Sequence, residues 1–235
     1  MKAFLLAAGL GTRLYSVSKN IPKCLMLIDG KPMLYHWFKL FADHGITDVL
    51  INLHYLYEQV ISGIENYKLK DFGINIVLFY ETVLLGTAGT ISENKSWVDK
   101  EDNFLIAYAD NLTKVDITRI VEQHILNRCT TTLWLYRTEV PEKCGIATLD
   151  ASGKITEFVE KPEHPRSEYA SAALYITTPG IFKYIPPGFA DLGKDTLPRL
   201  SAVGELYGCT VPGYNRGMGD PDGYEKAQRE WNDVK

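Results

Sequence analysis

Residues 2–14 read KAFLLAAGLGTRL. After Lys2, the run to Ala7 is apolar without the alternation of a half-exposed strand, which predicts a short strand of a parallel sheet over 2–7, buried on both faces. The strand runs into Ala8-Gly9-Leu10-Gly11-Thr12-Arg13. Glycines there let the backbone approach a ligand and turn N–H groups toward phosphate oxygens. A dinucleotide-binding fingerprint needs a third glycine at position 14, and Leu14 stands in its place. Pro22-Lys23 follows nine residues after Arg13. Arg13 can fork across phosphate oxygens, and Lys23 can act as a point charge. Two glycines alone would also suit a tight strand-to-helix turn; the two cations shift the reading toward phosphate.

Outward from this loop, strands and helices alternate. Trp37, Phe38, Leu40 and Phe41 form the apolar stripe of a helix over 35–44, stopped by Gly45. Strands are expected over 48–53, 74–79 and 104–107, and helices around 56–64 and over 117–126. The alternation continues to about residue 135. It predicts an α/β fold, a Rossmann-like and mostly parallel mixed sheet flanked by helices, with ligands at the strand C-termini. Beyond 131 the pattern changes. Strands over 146–149 and 155–159 flank the turn Asp150-Ala151-Ser152-Gly153 as a hairpin. A further strand covers 172–177, and a closing helix covers 222–234. The second half reads as a small β-rich lobe closing one side of the site.

The 235 residues carry a net charge of -4, which disfavours nucleic acid and anionic membrane as partners. Residues 1–40 depart from that balance, with six basic side chains (Lys2, Arg13, Lys19, Lys23, Lys31, Lys39) against Asp29 alone. Such an excess suits a bound anion, or a solvated face. Cys24, Cys129, Cys144 and Cys209 are far apart in sequence, so reduced thiols in a cytoplasmic protein are expected. The N-terminal apolar run is too short for a membrane span and lacks the form of a signal peptide.

Further constellations follow at strand ends. Glu81-Thr82-Val83-Leu84-Leu85-Gly86-Thr87-Ala88-Gly89 suits a strand-to-helix turn, with Thr87 able to cap. Tyr108-Ala109-Asp110-Asn111 places a carboxylate at a strand C-terminus, where a hard oxygen could hold Mg²⁺ or merely close an Asx turn. Phe158-Val159-Glu160-Lys161-Pro162 ends the hairpin.

Together with LLAAGLGTRL…PKCLMLIDGKPML, these segments resemble the signature of the sugar-phosphate nucleotidyltransferases, which include mannose-1-phosphate guanylyltransferases and glucose-1-phosphate thymidylyltransferases. The resemblance runs nearly end to end. It implies a single GT-A-like domain, with about 1–135 binding nucleotide and about 136–235 binding sugar phosphate. It implies that Ala8, Gly9, Gly11, Thr12, Arg13 and Lys23 hold the triphosphate and that Glu81, Gly86 and Thr87 face the base. Asp110 would hold Mg²⁺. Asn111, Gly145, Glu160, Lys161 and Ser171 would line the sugar-phosphate site, with Glu160 on sugar hydroxyls and Lys161 on the phosphate. Asp191-Leu192-Gly193-Lys194-Asp195 reads as mainly structural. Relatives are often dimers or tetramers, which is a prior for a homo-oligomer.

Three departures stand out. Cys144 replaces the usual tyrosine before Gly145. Ser171-Ala172-Ala173 replaces the family's Asn-Ala-Gly. Arg216-Gly217-Met218-Gly219-Asp220-Pro221 places Gly217 where a second metal aspartate is usual. Either Asp220 completes the Mg²⁺ site or Asp110 is its only carboxylate.

The implied reaction is in-line attack by a sugar 1-phosphate on the α-phosphorus of a nucleoside triphosphate, with pyrophosphate leaving. Arg13, Lys23 and Asp110 are the expected catalytic residues. An ionised Glu81 only accepts hydrogen bonds, which favours guanine with its N1–H and N2–H₂ and hence GTP; a manno-configured hexose or heptose follows only by analogy. The alternatives are a cytidylyl-, uridylyl- or thymidylyltransferase acting on another sugar phosphate or a small phosphorylated alcohol, and a catalytically silent nucleotide-binding subunit suggested by Gly217. A redox Rossmann protein comes third.

Overall fold

A computed structural model of the chain describes residues 1–11, 14 and 20–234. In chain order the elements are β1 (Lys2–Leu6), β2 (Leu27–Ile28), β3 (Lys31–Pro32), α1 (Met33–Asp43), β4 (Asp48–Leu53), α2 (Tyr57–Asn66) and β5 (Asn75–Tyr80). Then come α3 (Gly86–Glu93), β6 (Phe104–Tyr108), β7 (Asn111–Val115), α4 (Ile117–Asn127), β8 (Thr131–Arg137), β9 (Gly145–Leu149) and β10 (Ile155–Glu160). The chain ends with β11 (Tyr169–Thr177), α5 (Leu197–Ala202), β12 (Leu206–Cys209), β13 (Gly213–Gly217) and α6 (Pro221–Val234). Two compact units form, neither continuous in sequence: residues 1–84, 107–115 and 212–235 in one, residues 85–106 and 116–211 in the other. Strand β6 passes from the second unit into the first at residue 107.

In the first unit β1 pairs in parallel with β4, and β4 with β5. Ala3 to Leu6 of β1 and Val49 to Leu53 of β4 are all buried, as expected for strands covered on both faces. Helix α1 buries Met33, Leu34, Trp37, Phe38, Leu40 and Phe41, the i, i+3, i+4 spacing of one helical face, and packs beside β3 and β7. Burying one such aromatic side chain contributes roughly 2–3 kcal/mol. The helix stops at Gly45, whose φ of 68° suits a residue without a β-carbon. A second core gathers Met26, Ile28, Met33, Leu112, Met218 and Trp231.

The antiparallel β7–β13 ribbon was not expected from the sequence; its register sets Gly217 opposite Asn111. Arg216 donates twice to Glu230 (Nε 3.1 Å, NH2 2.9 Å) and so ties the ribbon to α6. From α6, the Tyr224 hydroxyl and Gln228 Nε2 donate to the Leu27 carbonyl at 2.9 and 2.8 Å. The final helix therefore anchors the segment that follows Lys23.

In the second unit β8 pairs antiparallel with β11 and parallel with β12, and β9 with β10 forms the expected hairpin. Its turn closes on Asp150, whose Oδ1 accepts the N–H groups of Ser152 and Lys154 at 2.8 and 3.1 Å. Strand β11 bulges between Ser171 and Tyr175, with Ala173 at a φ of 54°. Strands β8 and β12 were not read from the sequence. The fold class is the expected one, an α/β fold whose sheet mixes parallel and antiparallel pairs and is flanked by helices. No helix among the described residues is long and apolar enough to cross a membrane.

Candidate active site

The first unit holds Ala8, Gly9, Gly11, Lys23, Glu81, Asp110, Asn111 and Asp220; the second holds Gly86, Thr87, Gly145, Glu160, Lys161 and Ser171. Thr12 and Arg13 lie outside the described residues.

Beyond β1 the chain turns at Gly11, whose φ is 70°. A β-carbon on Gly11 would sit 3.4 Å from Lys23 Cγ, so the Lys23 stem lies along the loop. Pro22 precedes a single 3₁₀ turn, Lys23–Leu25, that begins on Lys23 and buries Cys24. The Lys23 ammonium then donates to Asp110 Oδ2 at 3.4 Å, with the lysine side chain 14% exposed and the aspartate 40%. A cation and a carboxylate from distant segments thus meet beside the glycine loop. Burial pushes the Cys24 thiol up to about 12, which excludes it as a nucleophile at neutral pH.

Asp110 is held by its backbone. The Met218 N–H donates to its carbonyl at 2.8 Å, and the Ala109 N–H donates to Leu6 at 3.0 Å. Among the described residues, a β-carbon at Gly217 would meet only Asn111 Oδ1, at 3.2 Å. Asp220 Oδ1 accepts the Gly223 N–H at 2.9 Å and so starts α6. Among the described residues no group of three or more His, Cys, Asp or Glu side chains is placed to hold a metal. A hard carboxylate such as Asp110 fits Mg²⁺ whose other ligands are phosphate oxygens and water.

Glu81 lies deeper than a residue that simply faces a ligand. It is 2% exposed, and Asn52 Nδ2 donates to its Oε1 at 2.7 Å. Sequence reading passed over Asn52; its signal was one polar side chain within the apolar run 49–53.

In the second unit Gly86 opens α3 with a φ of 77°, and the N–H groups of Ala88 and Gly89 donate to the Ala190 carbonyl at 2.9 and 3.1 Å. Thr87 does not cap this helix. Its hydroxyl donates to Asp191 Oδ2 at 3.1 Å and accepts the Leu192 N–H at 2.7 Å. The segment beginning at Asp191, read as structural, therefore fixes the turn expected to face the base. Gly193 of the same segment lies against the residue expected at the sugar: a β-carbon on Gly193 would lie 2.8 Å from Glu160 Oε2, and one on Gly145 2.7 Å. Two glycines thus form a cradle for that carboxylate. Burial raises the Glu160 carboxyl above its ordinary value; Lys161, 3.9 Å away, opposes this, and Asp191 adds to it. Ser171 Oγ donates to the Tyr175 hydroxyl at 3.3 Å and accepts the Ala173 N–H at 3.2 Å, closing the β11 bulge.

Residues 2–234 match the family model described as nucleotidyl transferase. The chain is 30% identical over 223 residues to a mannose-1-phosphate guanyltransferase of Yarrowia lipolytica, covering 94% of this chain and 61% of that protein. It is 28% identical over 224 residues to a mannose-1-phosphate guanyltransferase of Saccharomyces cerevisiae, covering 94% and 62%. The chain thus spans about three fifths of the length of these curated relatives. Among solved structures, a putative glucose-1-phosphate thymidylyltransferase from Bacillus anthracis, in complex with a sucrose, superposes with a TM-score of 0.87 at 25% identity, covering 100% of this chain and 96% of that one. HddC from Yersinia pseudotuberculosis, complexed with GMP-PN, superposes with a TM-score of 0.82 at 23% identity, covering 98% and 99%.

Proposed function

The chain belongs to the nucleotidyl transferase family, and from that premise we propose that it transfers a nucleotidyl group from a nucleoside triphosphate to a sugar 1-phosphate. The observation that carries this is the meeting of Lys23 and Asp110 at 3.4 Å beside the Gly11 turn. A sugar-phosphate oxygen attacks the α-phosphorus; the bond to the β-phosphate oxygen breaks on the far side, and pyrophosphate leaves. The attacking phosphate is already ionised, so no protein nucleophile is required. Catalysis then rests on positioning and on charge placed in advance.

Lys23 holds nucleotide phosphate, and Arg13 answers the charge growing on pyrophosphate. Glu160 orients sugar hydroxyls in its glycine cradle, and Lys161 aims the sugar phosphate. Asp110 would be the protein carboxylate for Mg²⁺; Asp220 Oδ1 is engaged in starting α6, and we assign Asp220 to that capping role. Bound with the triphosphate, the ion would neutralise charge on the phosphate oxygens.

We take GTP and a manno-configured sugar 1-phosphate as the substrates. The acceptor-only Glu81 carboxylate and the names of the two guanyltransferase relatives support that choice. The test is pyrophosphate release with Mg²⁺, five nucleoside triphosphates and a panel of sugar 1-phosphates. Release with GTP and a manno-configured acceptor is the expected result. Release with another pair overturns the specificity and keeps the reaction; no release with any pair overturns the reaction.

A further inference from the structure

Three strand ends of the first unit meet in a buried polar bridge that the phosphate and metal roles do not explain. Asn52 lies opposite Leu6, the last residue of β1, and Phe79, the last but one of β5. Its Oδ1 accepts the N–H of Ala7, the first residue after β1, at 2.7 Å. Its Nδ2 donates to Glu81 Oε1, just after β5, also at 2.7 Å. Both side chains are buried. Backbone bonds fix Glu81 as well: its N–H donates to the Leu53 carbonyl at 2.8 Å, and His54 Nδ1 donates to its carbonyl at 2.8 Å.

A primary amide suits this place because it has an acceptor for an N–H and donors for a carboxylate. An apolar side chain would deprive two buried polar groups of a partner. A carboxylate would still accept from Ala7 but would set oxygen against oxygen at Glu81.

We propose that Asn52 is a positioning residue for nucleotide recognition. One amide holds both the root of the glycine loop and the carboxylate expected at the base, so the phosphate-facing and base-facing parts of the site keep a set separation before the nucleotide arrives. Such preorganisation lowers the ordering cost of binding and leaves the chemical step alone. The inference rests on the nucleotidyl-transfer reading above.

The experiment is a double-mutant cycle on the full chain, N52D, E81Q and N52D/E81Q, with N52A beside it. GTP affinity is measured by calorimetry, KM and kcat by pyrophosphate release, and Tm for every variant. N52D should weaken GTP binding tenfold or more with Glu81 opposite, and threefold or less in the E81Q background, where the new amide donates back to the new carboxylate. In N52D, kcat at saturating GTP should stay within about threefold of wild type. A merely structural role would lower Tm without this dependence on position 81. Equal losses in both backgrounds, or wild-type affinity in N52D and N52A, overturn the proposal. Should N52D not fold, weak binding by N52A beside near-E81Q binding by the double variant supports it, and any other pattern overturns it. A wild-type chain that binds no nucleoside triphosphate overturns the function reading and this inference together; a wild type that binds, with N52D unchanged, overturns the inference alone.

Discussion

A β-carbon on Gly86 would stand 2.3 Å from the carbonyl oxygen of Ala190, so position 86 admits only glycine on two counts, close approach and a φ of 77°. Gly86→Ala must either displace the Ala190 backbone or leave the left-handed region. The expected cost is about 2–4 kcal/mol, from a strained dihedral plus overpacking. Urea unfolding measures it, and full stability in the variant would show that the turn is not under this constraint. Nucleotide KM should rise in the same variant.

Lys23→Met removes the cation beside Asp110 and keeps most of the stem that lies along Gly11. Turnover should fall by about 10²–10³, as when one preorganised charge donor is lost. Tm should move by only a few degrees. Steady-state kinetics and calorimetry decide together; near-normal kcat would remove Lys23 from the reaction.

The two readings of Asp220 separate cleanly. Asparagine caps a helix as well as aspartate does, so Asp220→Asn should leave both stability and the half-saturating Mg²⁺ concentration unchanged within about threefold. Asp220→Ala should cost about 1 kcal/mol of stability. A tenfold rise in the Mg²⁺ requirement of Asp220→Asn would instead place Asp220 at the metal.

His124 should make the protein acid-sensitive. Its Nε2 donates to Asn103 Oδ1 and its Nδ1 pairs with the Thr132 hydroxyl, both at 3.0 Å, partners that satisfy the neutral ring when the hydroxyl donates. Burial lowers its pKa from 6.5 to about 4. The unfolded chain therefore binds the proton first as pH falls. The stability contribution is intact above about pH 6.5 and is lost progressively down to about pH 4, by up to about 3 kcal/mol. Tm measured between pH 7.5 and 4.5 should show this slope, and His124→Gln should flatten it. An unchanged slope in the variant would assign the acid sensitivity to other groups.

The parts of the site that were legible are those written into a single short segment. The apolar run before Ala8-Gly9-Leu10-Gly11 marks a strand feeding a glycine turn, and the Trp37–Phe41 stripe marks α1, because burial on one face leaves a period that neighbouring residues carry. Strands β7 and β13 escaped because each is five residues long and mostly polar or small, with its pairing supplied by the other. Strand β8 was apolar enough but followed α4 so closely that the change of pattern at 131 hid it. Thr87 was legible as a turn residue, while its partner was not.

Local sequence thus settled the α/β class, the order of the main elements and the chemistry available at each strand end, since those depend on residues a few positions apart. Which groups meet was decided only in the folded chain. Lys23 reaches Asp110 across 87 positions, Asn52 reaches Glu81 across 29, and Thr87 reaches Asp191 across 104. Nothing in the sequence between such partners encodes their contact; strand order, register and the packing of buried side chains bring them to hydrogen-bond distance, and at Asn52 and Glu81 burial makes the pairing obligatory.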